Sequence, residues 1–219
     1  MITFEDIKND EEIKILIEDT ERQLMELGYT EHWYRHLEIV SNTSERILKE
    51  LGYSARTCEL AKIAGYMHDI GNAINREDHA HNGAILAYDI LKRKGMSISE
   101  AAEIMMAIGN HDEKTGTAVS AISAALILAD KSDVHRTRVR DANRSRFDIH
   151  DRVNYAVEEA NFDVDVEGKK VYLRLKIDTS ICPVIKYFEI FLDRMLMCKG
   201  AANFLGVWFH LEINGSLLL

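Results

Sequence analysis

The sequence has little proline, little cysteine and no long apolar run. Pro183 is the single proline in 219 residues, and because proline breaks helix interiors, its scarcity permits long helices. No run of about 18 apolar residues occurs, so a membrane-spanning segment is not expected. Cys58, Cys182 and Cys198 are an odd number of cysteines without a CxxC pair. This pattern argues against a disulfide framework or a zinc ribbon and favours a reducing compartment. The acidic start, MITFEDIKNDEE, is unlike a signal peptide, so we expect a cytoplasmic protein without membrane partners.

Basic residues are outnumbered as well. Lys and Arg total 27 against 36 Asp and Glu, a net charge of −9. Because nucleic-acid binding depends on basic surface, nucleic acid is not an expected partner. The sequence contains no G-x-G-x-x-G, P-loop or G-x-S-x-G motif, which argues against dinucleotide or Walker-type binding and against a serine nucleophile. With 47% hydrophobic residues, the chain is expected to form one globular domain or a domain with a small appendage.

Residues 3–160 have the apolar spacing of helices. Ser54 and Ser97 can cap two of them, and glycines follow several of the apolar stretches and can end them. The stretch AVSAISAALILAD is small and apolar, which suits a helix buried on most sides. Six helices are expected, over about 12–27, 33–51, 55–69, 79–94, 98–108 and 118–133.

After Asn161 the apolar period shortens to two. The alternation in FDVDVEGKKVYLRLKID around Glu167–Gly168 predicts a β-hairpin, an apolar-periodic helix follows over 184–204, and VWFHLEI predicts a third strand. We therefore expect a mainly α fold, with a helical domain at 1–160 and a small α+β appendage of hairpin, helix and strand at 161–219. The appendage is expected to support stability or, through a hairpin edge, homodimerisation, and not the chemical step.

A basic segment interrupts this acidic chain at residues 134–150. Arginines stand at positions 136, 138, 140, 144 and 146, with another at 152. A solvated surface is the simpler interpretation of such a charge run. The alternative is a patch that faces phosphate, in which Arg136 and Arg140 contact the substrate, because guanidinium matches phosphate geometry.

Histidines and aspartates stand in apolar surroundings. His68–Asp69 ends the run LAKIAGYMHDIG, and Asp130 lies in LILADKSD. Buried titratable groups are costly unless they are paired, so a satisfied His–Asp pair is the simplest interpretation. A divalent cation held jointly by these residues and His36 would satisfy all of them at once, and imidazole and carboxylate ligands suit Zn, Mn, Fe, Co and Ni.

The order His36, His68–Asp69, Asp130 resembles the HD-domain superfamily of metal-dependent phosphohydrolases. GYMHDIGN is similar to the family's apolar HD segment, HAHNGAILAYDIL to its H-x-x-x-G-A helix and ALILADKSD to its apolar A-D-K segment. The resemblance covers about residues 30–140. It implies an HD-domain helical bundle in which His36, His68, Asp69 and Asp130 hold one metal ion.

For a second ion, the resemblance implies His79 and His111, with Asp69 shared between the two ions. His81 lies two residues after His79, about 200° round a helix, so both cannot easily reach one ion. His79 matches the family spacing, and His81 stays open as the substitute ligand or as a substrate contact. Whether one ion or two bind is open at this point.

The activity that the resemblance implies is hydrolysis of a phosphoester of a nucleotide or a related small phosphate. A bound cation (Mn, Fe, Ni, Co or Zn, with Mg as a further candidate) lowers the pKa of water towards about 7 and polarises a phosphoryl oxygen. Asp69, His111 and Lys131 are the expected catalytic residues, with a surface salt bridge as the alternative for Lys131. Asp112 could orient an imidazole, donate a proton or contact the substrate.

Two other functions remain in competition with this one. A diiron HD-type oxygenase of a small polyol or phosphonate needs similar ligands, and iron content and oxygen consumption would distinguish it. A regulatory module would bind a nucleotide without turnover, although the complete ligand set argues against a degenerate site.

Overall fold

Capping residues and glycines set the ends of the helices. In the computed structural model, which describes residues 1–140 and 149–219, the side chains of Ser54 and Ser97 each accept a hydrogen bond from the backbone amide three residues on. Gly28 and Gly95 end helices with positive φ angles of 79° and 93°, a backbone conformation that glycine adopts without strain. The helices are α1 (Phe4–Lys8), α2 (Glu11–Glu26), α3 (Tyr34–Glu50), α4 (Ala55–Met67), α5 (His79–Arg93), α6 (Ile98–Gly109), α7 (Ala121–Ser132), α8 (Ile149–Ala156) and α9 (Val184–Phe204).

Helix α7 is the centre of the helical part. Residues 124–129 are fully buried, and α7 packs against α3, α4, α6 and α9. A helix covered on this many sides needs small and apolar residues all round, which its sequence supplies. The expectation of a helix buried on most sides is confirmed.

The C-terminal strands form a four-stranded sheet in the order β1 (Val157–Asp165), β2 (Lys170–Ile177), β3 (Trp208–Ile213) and β4 (Ser216–Leu217). Strands β1 and β2 are the expected antiparallel hairpin. Strand β3 pairs parallel to β2, because α9 carries the chain back across the sheet. The short antiparallel strand β4 was not expected from the sequence.

Strand β1 begins earlier than the alternation predicts. Residues 157–160, which were expected to lie in the helical domain, are extended, and Val157 is buried opposite Ile177. Pairing with β2 therefore decides the conformation there. The mainly α fold with a small α+β appendage is confirmed.

One apolar core runs through both parts of the chain. Helix α9 packs against both β3 and α7, and its buried residues Phe191 and Met195 join the same cluster as Leu126 of α7 and Leu211 of β3. Across the described ranges, no helix is long and apolar enough to cross a membrane.

Candidate metal centre

Six titratable side chains converge between α3, α4, α5, α6 and α7. Neighbouring imidazole rings lie 5.0 to 5.2 Å apart between centroids. Only one of the six, the carboxylate of Asp130, is more than slightly exposed. The six side chains, called the metal centre below, are His36, His68, Asp69, His79, His111 and Asp130.

Glycine contacts bring the elements of the centre together. A Cβ at Gly65 of α4 would lie 2.8 Å from Cα of Ser41 in α3, so the helix that ends in His68 can touch the helix that carries His36. Gly71 and Gly83 lie against each other in the same way and bring the start of α5 onto the 3-10 turn Ile70–Ala73. Each close approach leaves no room for a side chain.

Hydrogen bonds fix which nitrogen of each imidazole faces the centre. The Nδ1 atoms of His68, His79 and His111 lie 2.8, 3.2 and 2.6 Å from the carbonyl oxygen three residues earlier. His36 Nδ1 lies 2.7 Å from Oδ2 of Asp133. A carbonyl or carboxylate oxygen can only accept, so each Nδ1 donates and each Nε2 carries the lone pair. Metal-binding histidines are oriented in this way by their outer partners.

The inward-facing atoms are spaced as ligands and not as hydrogen-bond partners. The Nε2 atoms of His36 and His68 lie 3.3 Å apart, and those of His79 and His111 lie 3.1 Å apart. Two lone pairs at such distances repel each other unless a cation lies near both. Oδ2 of Asp69 is also buried without a hydrogen-bond donor among the described residues, which is costly for a carboxylate.

The donor atoms fall into two overlapping sets. His36, His68 and Asp130 offer atoms within 4.8 Å of one another, and so do His68, Asp69 and His111. His79 Nε2 joins the second set at 3.7 Å from Oδ1 of Asp69. These residues fit a divalent transition metal, because neutral imidazole and carboxylate are the ligands such ions prefer.

Local charges keep the carboxylates ionised. Burial alone would raise the pKa of Asp69, but the neighbouring imidazoles, His68 first and then His32, lower it well below its ordinary value. Burial opposes ionisation of Asp130 too, but Lys131, His36 and His68 together outweigh it and lower the pKa well below its ordinary value. Burial lowers the pKa of His111 well below its ordinary value, so this imidazole is neutral and able to bind metal at neutral pH.

A chain of buried and partly buried ion pairs leads away from the metal centre. Lys131 Nζ lies 2.8 Å from Oδ2 of Asp130 and 2.7 Å from Oε2 of Glu113. Oε1 of Glu113 then accepts a hydrogen bond of 2.9 Å from Nε of Arg194 in α9. Lys131 is therefore a buried partner of a candidate metal ligand and not part of a surface salt bridge.

A cavity of about 130 Å³ opens beside the metal centre. Asp69, His79, His111, Asp130 and Lys131 all line it. Further walls include Tyr29 and His32 from the loop before α3, Phe191 and Arg194 from α9 of the appendage, and Arg76 and Arg138. From the sequence, the appendage was not expected to contribute to the chemical step. The sequence did contain one signal for Arg194: it is a charged residue next to the buried apolar positions of α9.

Two predicted substrate contacts close to the centre lie outside the cavity wall. The side chain of His81 is 51% exposed and faces Asp78 at 3.7 Å, so His79 alone of the two histidines reaches the centre. Asp112 lies near the centre, with Oδ2 at 3.6 Å from Nδ1 of His79, but it does not line the cavity. Its position is consistent with orienting that imidazole.

The arginine segment does not supply the expected phosphate contacts. Arg136 pairs with Glu158 at 3.3 Å, and Arg140 pairs with Glu21. Neither lines the cavity, because carboxylates near each arginine hold it elsewhere. Arg138 does line it. Arg144 and Arg146 lie outside the described residues.

Comparison with known proteins identifies relatives over most of the chain. The family described as HD domain matches residues 33–153. The uncharacterized protein MJ1020 of Methanocaldococcus jannaschii is 25% identical over 209 residues, which cover 85% of this chain and 79% of that protein. A crystal structure titled as a predicted HD superfamily hydrolase from an uncultured Thermotogales bacterium is 26% identical, with a TM-score of 0.45 over 57% of this chain and 67% of that one.

Proposed function

The chain belongs to the HD-domain family, and from that premise we propose that it is a metal-dependent phosphohydrolase acting on a nucleotide or a related small phosphate. One observation carries the proposal. Four imidazole Nε2 atoms and two ionised carboxylates point at one another beside an open cavity. This arrangement supports metal-ligand chemistry beside a cavity that a small substrate can enter.

A divalent ion bound by these residues would supply an activated water and a Lewis acid for the phosphoryl group. Asp69 is suited to serve two ions, because Oδ2 faces His36 and His68 while Oδ1 faces His79. Asn72 holds that carboxylate in place with a hydrogen bond of 2.9 Å to Oδ1.

Other side chains keep the ligands in their working form. Asp133 fixes the ring of His36, and Arg35 in turn contacts Asp133 Oδ2 at 3.0 Å. Lys131 balances the charge of Asp130. Ligands held by such outer contacts lose little freedom when they bind metal or substrate.

The test is a phosphatase screen combined with metal analysis. The stripped protein is reloaded with Mn, Co, Ni or Mg and assayed on nucleoside phosphates and small phosphomonoesters. We expect His68→Ala and Asp69→Ala to lose bound metal and hydrolysis while the helical circular dichroism persists. His81→Ala, whose side chain is exposed, is the matched control and should keep both.

Two outcomes would contradict the proposal. Unchanged metal content in both ligand variants would remove the assignment of the centre. Bound iron with oxygen consumption and no phosphate release would identify the diiron oxygenase instead.

A further inference from the structure

Helix α9 reaches the cavity from outside the segment that matches the HD family. That match ends at residue 153, whereas α9 spans Val184–Phe204. Arg194 and Phe191 of this helix line the same cavity as Asp69 and Asp130. The appendage therefore forms part of the wall around the candidate metal centre.

The guanidinium of Arg194 is held firmly on one side. Its Nε donates to Oε1 of Glu113 at 2.9 Å, and its Cζ lies 4.7 Å from the centre of the Phe191 ring. Burial alone would lower the pKa of Arg194, but the charges of Glu113 and Asp130 raise it. The group is therefore charged and oriented before any ligand binds.

The other side of the guanidinium is open. Its two terminal nitrogens make no hydrogen bond to any described residue. The side chain is 22% exposed. Arg76 also lines the cavity, and it donates from Nη1 to Asn72 and lies over the ring of Tyr29. The two other cations of the wall, Lys131 and Arg138, are more fully engaged than Arg194. Lys131 contacts two carboxylates, and all three nitrogens of Arg138 donate to the backbone carbonyls of Glu31 and Asp133.

We propose that Arg194 binds the phosphoryl oxygens of the substrate at the metal centre, so that α9 completes the active site. A guanidinium presents two parallel N–H groups, which match two oxygens of one phosphate. Glu113 links Arg194 to Lys131 and hence to Asp130, so the phosphate-binding group and the metal ligand are positioned together. This inference rests on the proposed function for the identity of the substrate.

The test uses the full chain loaded with Mn²⁺. Inorganic phosphate is the probe. Phosphate affinity is measured by calorimetry for wild type, Arg194→Gln and Arg194→Lys, together with metal content and Tm. The control is Arg174→Gln, because Arg174 is likewise a partly exposed arginine in ion pairs, with Asp163 and Glu212, but it lies on the sheet and away from the cavity.

Loss of a charged hydrogen-bonded pair predicts about 10- to 100-fold weaker phosphate binding in Arg194→Gln. Arg194→Lys keeps the charge without the two-pronged geometry and should recover only part of the affinity. Metal content should not change in either variant, and Arg174→Gln should bind phosphate as the wild type does. On a hydrolysed phosphomonoester, KM should rise more than kcat falls.

Wild-type phosphate affinity in Arg194→Gln would overturn the inference, as would a wild type that binds no phosphate. If Arg194→Gln fails to fold, full affinity in Arg194→Lys would overturn it. Arg194-dependent phosphate binding without hydrolysis of any phosphoester would instead refute the proposed function and leave the phosphate site standing.

Discussion

Replacing Gly71 by alanine tests the packing that positions the second half of the metal centre. A Cβ at this position would lie 2.9 Å from Cα of Gly83 and nearer still to the carbonyl oxygen of His79. Ordinary contacts of a Cβ begin near 3.4 Å. Because the opposing atoms are backbone, the start of α5 has to move away as a unit.

The movement should affect both stability and metal binding. Overpacking of this kind costs about 1–3 kcal/mol, and backbone atoms place Gly71→Ala near the upper value. For a chain of this length, about 3 kcal/mol lowers Tm by roughly 6–12 °C. His79 is the first residue of α5, so its Nε2 should leave the range of an ion shared with Asp69.

Thermal unfolding and calorimetric metal titration measure the two effects. Gly200→Ala is the matched control, because Gly200 is exposed in α9 and a Cβ there meets nothing within 4 Å. Removing glycine from a helix should stabilise the protein by about 0.5–1 kcal/mol. A Gly71→Ala protein with wild-type Tm and an unchanged metal isotherm would refute the reasoning.

Three further perturbations address the ligands and the core. Asp133→Asn should weaken metal binding through His36 by about 10- to 100-fold, measured against a competing chelator, and wild-type affinity would contradict the orienting role. His111→Ala should lower the metal stoichiometry from two ions to one whereas His81→Ala leaves it unchanged, and a wild type with a single-site isotherm would contradict the two-ion arrangement. Burial raises the pKa of Cys198 to about 12, so the folded state favours the protonated thiol. This stabilisation is complete below the ordinary thiol pKa and is lost as pH rises towards 12, by about 1.4 kcal/mol per pH unit. Urea unfolding between pH 9 and pH 11 should show a steeper loss in wild type than in Cys198→Ala, and parallel profiles would contradict it.

Local signals were sufficient for most of the helices. The cap at Ser97 and the glycine after α5 set ends that agree with the structure, because caps act within a few residues of the chain. Ser97 and Glu100 fit the S-x-x-E pattern of a capping box, but only the hydrogen bond from the Glu100 amide to the Ser97 side chain forms at α6. The carboxylate of Glu100 pairs with Arg56 at 2.7 Å instead, since a tertiary partner can replace a local one.

His68, Asp69 and Asp130 were accessible to sequence reasoning because each lies in a short apolar segment. His36, His79 and His111 were accessible through the order and spacing that resemble the HD family. Their partners were not, because they depend on how distant elements meet. Asp133 lies three residues after Asp130 in the sequence, but only the fold shows that it reaches His36. Arg140 has the charge expected of a phosphate contact, but in the fold it forms an ion pair with Glu21 of α2 and does not line the cavity. The direction of the β3 pairing likewise follows from the path of α9.

Because a single apolar core joins the helices to the sheet, the unit that folds is larger than the segment that matches the family. The family match ends inside α8, at residue 153, whereas the apolar contacts of α7 continue into α9. A gene fragment cut at the family boundary would encode all six candidate ligands and still expose one flank of the central helix to water. Recombination that respected the family boundary would therefore transfer the ligands without the packing that holds Lys131 and Asp130 in place. In this chain the smallest unit that could be exchanged intact is larger than the segment that matches the family, because it includes α9.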